Sequence, residues 1–153
     1  MPTATTEEVT KRAAKIDELV FVKLKIPKLI PRDLIEAVKG RTFTPEQFYD
    51  YQSKQLTNPY NHLFALVDTD KKIHGYLWAE VNVLDNSLFI NTFSISKEFW
   101  GKGEAIGKAK EFVAEFSKKI KAPSIFWFTT NARFFLKHGF SRSKNQLMEY
   151  NPN

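Results

Sequence analysis

The stretch Ile95-Ser96-Lys97-Glu98-Phe99-Trp100-Gly101-Lys102-Gly103-Glu104-Ala105-Ile106-Gly107-Lys108 runs from the end of an alternating apolar segment, through a glycine-rich turn, into a strong helical pattern. A strand that turns through glycines into a helix presents several backbone N–H groups at the helix N-terminus, and these hold phosphate or diphosphate without needing side-chain charge. Two nucleotide-binding patterns come close and fail. Five residues separate Gly101 from Gly107 where the Walker pattern has four, and Ala109 follows Lys108 where a magnesium-binding hydroxyl belongs. The dinucleotide pattern wants its third glycine where Ile106 stands, and the strands before it alternate as an antiparallel set does.

Working outward from this turn, Ile106, Ala109, Val113, Phe116 and Ile120 recur at helical spacing, and Pro123 ends that helix. Ser124–Phe128 (SIFWF) is a continuous apolar run of the buried-strand kind. A helix over Asn131–His138, a C-cap at Gly139 and a last strand from Phe140 complete the expected tail. Toward the N-terminus the period is two over Leu63–Asp68, Ile73–Val83 and Ser87–Ile95, with turns at Asp68-Thr69-Asp70-Lys71 and Leu84-Asp85-Asn86. Earlier still, Thr44-Pro45-Glu46-Gln47 reads as an N-cap, an N1 proline and an N3 glutamine opening a helix to about Leu56, after one or two helical turns over Asp33–Lys39 closed by Gly40. Leu19–Ile26 (LVFVKLKI) is the first strand. Thr5 and Glu8 form a capping box for a helix over residues 5–16, which makes residues 1–17 an N-terminal helical extension. The pattern predicts an α/β (α+β) fold, a mixed and mostly antiparallel central sheet flanked by helices on both faces.

A chain of 153 residues is about one domain long, so residues 1–153 are expected to fold as one unit that buries roughly 70% of its unfolded surface. Apolar residues at 42%, with 14 Phe, exclude disorder over the chain. No stretch reaches the ~20 apolar residues of a membrane span, and the N-terminus lacks an apolar signal core. The absence of Cys fits a reducing compartment and removes thiolate nucleophiles, so a cytoplasmic protein is expected. The net charge of +6, from 23 Lys plus Arg against 17 Asp plus Glu, favours an anionic partner without naming it. His62, His74 and His138 have no metal-like spacing and read as surface or turn residues, and no serine stands in a nucleophile elbow. No metal is expected.

Trp100-Gly101-Lys102-Gly103-Glu104-Ala105, with the apolar Ile95 five residues before Trp100, resembles motif A of the GNAT family of N-acetyltransferases, Q/R-x-x-G-x-G/A. Phe134-Phe135-Leu136-Lys137-His138-Gly139-Phe140 resembles the end of the family's motif B, and the element order over residues 19–150 is similar to the family's. The resemblance implies an acetyl-coenzyme A-binding N-acetyltransferase of the GNAT fold. In that family the strand matching Ile95 splays from the strand matching SIFWF, and its open backbone hydrogen-bonds the pantetheine arm as an added strand would. The resemblance thus assigns Phe93 and Ile95 to pantetheine through their backbone, and Gly101, Lys102, Gly103, Glu104 and Ala105 to the diphosphate. Asn131 and Phe135 are further cofactor contacts by the same match.

Four positions depart from the family's pattern. Trp100 replaces the usual Gln or Arg, Phe135 stands where many relatives have a Tyr that protonates the leaving thiolate, Asn131 lies about one turn closer to the aromatic pair than the usual motif B Asn, and Phe89 stands where many have a Glu general base. Acyl transfer to an amine needs a base within reach of that amine. Glu80, with Trp78 and Asn82 on the same strand face, is the substitute carboxylate, and Asn91 orients the acceptor or a water.

The implied reaction is direct attack of a primary amine, on a small molecule or a protein, in a ternary complex, since the chain has no Cys to carry the acyl group. The helices between Pro31 and Leu56 would wall the acceptor side. The alternative is a catalytically silent acyl-coenzyme A-binding or protein-interaction module of the same fold. A nucleic-acid partner would need a clustered basic face, and Lys118, Lys119, Lys121, Arg133, Lys137, Arg142 and Lys144 are scattered in sequence. The expected state is a monomer or homodimer, with no membrane partner.

Overall fold

The period-two segments pair as expected. The structure, a computed structural model, describes residues 15–38, 43–101, 103–145 and 148–152. Five strands make one sheet in the order β1 Val20–Lys23, β2 Asn61–Val67, β3 Ile73–Val81, β4 Leu88–Ile95 and β5 Ile125–Trp127. The first four are antiparallel neighbours and β5 joins β4 in parallel, giving the mixed, mostly antiparallel sheet. Among the described residues four α-helices accompany it: α1 Arg32–Glu36, α2 Pro45–Lys54, α3 Glu104–Ile120 and α4 Ala132–Lys137.

Both faces of the sheet are covered, so successive residues of β2 and β3 are buried on alternate sides. On one face Leu63, Ala65 and Tyr76 pack with Leu34 and Ile35 of α1 and Phe48 of α2. On the other, Phe64, Leu77, Ala79 and Ile90 meet Ala109 and Val113 of α3. The apolar stripe of α3 is the one its spacing predicts. Helix α2 begins with the expected capping box: Gln47 N–H donates to Thr44 Oγ1 at 3.1 Å, and Thr44 N–H to Gln47 Oε1 at 2.8 Å. In the β2–β3 turn Asp68 Oδ1 accepts from the N–H groups of Asp70 and Lys72, each at 2.9 Å. In the next turn Asn82 Oδ1 accepts from Leu84 N–H, so Asn82 serves the hairpin and does not share a strand face with Glu80.

Several expectations need correction. The first strand stops at Lys23, because Pro27 opens a 3₁₀ turn over Pro27–Leu29. Lys121, in the left-handed region at φ 57°, ends α3 two residues before Pro123, and Ala122 N–H closes back on Ser117 O at 2.9 Å. No strand follows α4 among the described residues. Gly139, at φ 88°, turns the chain so that Phe140 packs on Trp127 and Phe135, and residues 141–145 (SRSKN) offer no apolar face to bury. With no strand outside it, β5 is an edge strand of three residues rather than a buried one, and Ile125 is 37% exposed. The expected helix over residues 5–16 and the C-cap at Gly40 fall outside the described residues, apart from Lys15 and Ile16; Ile16 begins a 3₁₀ turn.

Two of the three histidines are not surface residues. His74 is 4% exposed, and His62 is half-buried edge-on to Phe116 at 4.9 Å, where burial lowers its pKa.

Gly75 lies where β3 runs against β4, and a Cβ there would stand 2.7 Å from the Ser94 carbonyl oxygen, a backbone atom. Gly75→Ala should therefore lower the unfolding free energy by about 1–3 kcal/mol through forced strand separation. Chemical denaturation of the two proteins checks this.

Candidate functional site

The route from β4 to α3 is fixed at both ends. Ser96 donates from both its backbone N–H, at 2.8 Å, and its hydroxyl, at 2.9 Å, to the His74 carbonyl. The buried His74 ring lies between Asp68, 2.8 Å from Nε2, and Glu98, 3.5 Å from Nδ1. Its bond to Asp68 is the main reason that carboxyl is held below its ordinary pKa. The ring thus ties the β2–β3 turn to the 3₁₀ turn Lys97–Phe99, which leads into the glycines. Gly101 and Gly103 take φ 94° and 76°, values that favour glycine, and Gly103 is the N-cap of α3 with no side chain capping the helix. The ladder of α3 starts with Gly107 N–H to Gly103 O at 3.0 Å, so the N–H groups of Glu104, Ala105 and Ile106 are left over at the helix start.

These leftover donors suit a diphosphate, and a Cβ at Gly101 would meet nothing within 4 Å. A Cβ at Gly103 would overlap the His138 ring, which reaches over from the end of α4, so Gly103 is also a packing glycine. Lys110 Nζ holds the His138 carbonyl at 2.7 Å. A nearby cavity of about 520 Å³ has, among the described residues, Asp17, Glu98 and Glu104 in its walls with Lys15. Lys102 lies outside the described residues.

Strands β4 and β5 pair only over Leu88↔Ile125, Phe89↔Phe126 and Ile90↔Trp127, and the last bond is Phe128 N–H to Ile90 O at 3.0 Å. Beyond it the chain leaves for α4, whose N-cap is Asn131, accepting from Phe134 N–H at 3.2 Å. The splay expected from the resemblance is therefore present. Because Ser96 bonds across to β3, antiparallel alternation turns the backbone groups of Phe93 and Ile95 the other way, toward the open edge. One of those groups is taken: Trp100 Nε1–H donates to Ile95 O at 2.8 Å. Phe135 packs among Trp127 and Phe140, and Phe89 stacks on Phe126 at 5.1 Å.

The register between β3 and β4 jumps from Trp78↔Thr92 to Ala79↔Ile90, leaving Asn91 as the extra residue of a bulge. Asn91 Nδ2–H donates to Glu80 Oε1 across the bulge, and Tyr51 of α2 donates from its hydroxyl to Glu80 Oε2 at 3.3 Å. The structure thus brings Glu80 and Asn91 together and adds Tyr51, which the sequence reading missed. Its signal was available: Tyr51 lies one turn after Phe48, on the inward side of α2. Burial first, and then the Glu80 carboxylate, raise the Tyr51 pKa and keep its hydroxyl protonated. Beside it, Trp78 Nε1–H donates to Asn61 Oδ1 at 2.8 Å, and Asn61 Nδ2–H donates to the buried Gln52 Oε1 at 2.9 Å.

No family model matches the sequence, and no curated protein is similar to it in sequence. Solved structures are similar in fold. A GNAT family acetyltransferase from Staphylococcus aureus superposes with a TM-score of 0.64 at 15% identity, over 88% of this chain and 99% of that one. An aminoglycoside acetyltransferase from an uncultured soil metagenomic sample gives 0.64 at 15%, over 90% and 97%. Glucosamine-6-phosphate N-acetyltransferase from Arabidopsis thaliana gives 0.59 at 16%, over 86% and 97%. The chain has the GNAT fold.

The contact between Tyr51 and Glu80 has a spectroscopic consequence. Glu80→Gln should lower the Tyr51 titration midpoint while leaving it above that of a free tyrosine, about 10, because burial persists. The tyrosinate absorbance difference between each protein and its Tyr51→Phe counterpart, followed against pH, reads this out.

Proposed function

We propose that the chain is an acetyl-coenzyme A-dependent N-acetyltransferase that delivers an acetyl group to a primary amine by direct attack in a ternary complex. The observation that carries this reading is a continuous one: β4 loses its neighbour after Ile90, bulges at Asn91 beside Glu80, and ends in an uncapped glycine turn at the start of α3. A strand edge freed in this way accepts an extended, amide-bearing arm as an added strand, with backbone groups of Phe93 and the Ile95 N–H as its partners. The amides around Gly101, Gly103, Glu104 and Ala105, with Lys102, would hold the diphosphate. When bound, acetyl-coenzyme A supplies the thioester carbonyl that the amine attacks.

Glu80 is the general base of this reading. Its carboxylate is oriented by the Asn91 amide and the Tyr51 hydroxyl, and it takes a proton from the ammonium of the acceptor so that a neutral amine attacks. Catalysis then rests on positioning: α2 carries Tyr51 over the bulge, and the protein holds amine and thioester in reach of one another. Phe135 offers no proton to the departing thiolate, so the leaving group must be protonated from elsewhere, solvent included.

A second reading, a catalytically silent acyl-coenzyme A-binding or protein-interaction module, is favoured by two closures in the same region. The Trp100 indole covers the Ile95 carbonyl, and the His138 ring rests on Gly103.

Turnover by the unaltered chain separates the two readings, and Glu80→Gln then tests the base. In an assay of coenzyme A release with a primary amine, kcat should fall about 100-fold or more while the KM for acetyl-coenzyme A stays within about threefold. An unaltered kcat and pH–rate profile would remove Glu80 from the reaction.

A further inference from the structure

Beside Glu80, on the face covered by α2, lies a pocket of about 350 Å³ lined by Phe43, Gln47, Phe48, Tyr51 and Trp78. Four of its five walls are aromatic. The rings stand at steep angles to Trp78: Phe43 at 75° and 6.3 Å, Phe48 at 78° and 5.9 Å, Tyr51 at 56° and 5.6 Å. A set of this kind forms a concave wall rather than a flat stack. Trp78 is held in place by the amide chain through Asn61, 8% exposed, to Gln52, 1% exposed, so the wall is formed before any ligand arrives. Glu80 is the charged group bonded to this lining, through the Tyr51 hydroxyl. Among the described residues no Lys or Arg lines it.

From this geometry we infer that the acceptor is a small primary amine on an apolar, uncharged body, such as an arylalkylamine, taken up as its ammonium form. The inference rests on the acetyl-transfer reading for its reaction, but the recognition chemistry stands on the pocket. An ammonium is attracted to the faces of Trp and Tyr and to a single carboxylate at one end, while an apolar body fills the aromatic walls. An amino sugar phosphate would find no cation for its phosphate among the described walls. A polyhydroxylated polyamine would find one amide and one phenol for its many polar groups. This chain's pocket therefore does not suit the substrates that two of its structural neighbours are named for.

The test is direct binding to the full chain, read by quenching of tryptophan fluorescence and by calorimetry, with acetyl-coenzyme A titrated separately. Phenylethylamine should bind saturably, phenylethanol about tenfold or more weaker for want of the ammonium, and glucosamine-6-phosphate not measurably. Glu80→Gln should weaken phenylethylamine about tenfold with phenylethanol unchanged, and Trp78→Leu should weaken both. Should Trp78→Leu fail to fold, Tyr51→Leu takes its place with the same expectation. Failure of phenylethylamine to bind a protein that does bind acetyl-coenzyme A would overturn the inference and leave the acetyl-transfer reading standing. Binding of glucosamine-6-phosphate as tight as that of phenylethylamine would overturn it equally. Amine binding without acetyl-coenzyme A binding would uphold the pocket's ligand class and remove the reaction.

Discussion

Strand β4 has two neighbours for three residues and one thereafter, and that change governs the rest of the molecule. Up to Ile90 its backbone is satisfied on both sides, by β3 and by β5. A strand interior that loses a neighbour exposes donors and acceptors, which must find partners in solvent, in a ligand or in a side chain. The bulge at Asn91 falls at the point of departure, as an extra residue in one strand bends it and changes its twist. The same residue that marks the loss of β5 thereby comes to face Glu80, whose other oxygen accepts from Tyr51. The open edge and the polar cluster are two consequences of one distortion.

What lies on either side of that edge differs in chemistry. At the glycine turn the groups are backbone amides, aimed by φ values that glycine adopts without strain and steadied from below by His74 between two carboxylates. Under α2 the groups are aromatic rings and a single carboxylate, aimed by buried side-chain amides. An anionic cofactor and a cationic acceptor would each meet the surface of complementary character. For an acyl-coenzyme A arm to use the full edge, as proposed, the Trp100 indole would have to release the Ile95 carbonyl.

Much of the architecture was legible in the sequence because it follows from local rules. Alternation located β2, β3 and β4, the 3–4 spacing located α3, and Thr44 with Gln47 located the start of α2. The glycines were legible for the same reason, since a positive φ is a property of one residue and its immediate neighbours. The strand expected from Phe140 failed because one aromatic residue was read as the start of a period that the polar residues 141–145 do not continue. His74 was misread because its burial depends on Asp68 and Glu98, one on each side of it in sequence, which meet only when the turn and the end of β4 are folded. The bulge was beyond reach for a deeper reason: register is a relation between two strands, and neither strand's pattern alone records it. Glu80 and Asn91 were both named as candidates, yet their pairing, and the arrival of Tyr51 from 29 residues away, are products of that register.

The proposed function depends on the freed edge of β4 and the amides of α3 taking an acyl-coenzyme A. Calorimetric titration of the purified chain with acetyl-coenzyme A, with coenzyme A and ATP run in parallel, asks this most directly. Saturable micromolar binding of acetyl-coenzyme A that ATP does not imitate is expected, because ATP has a phosphate chain but no arm to lie along Phe93 and Ile95. No heat and no shift in melting temperature with acetyl-coenzyme A would contradict it, leaving the glycine turn as a structural joint and the splayed edge as a surface for another partner.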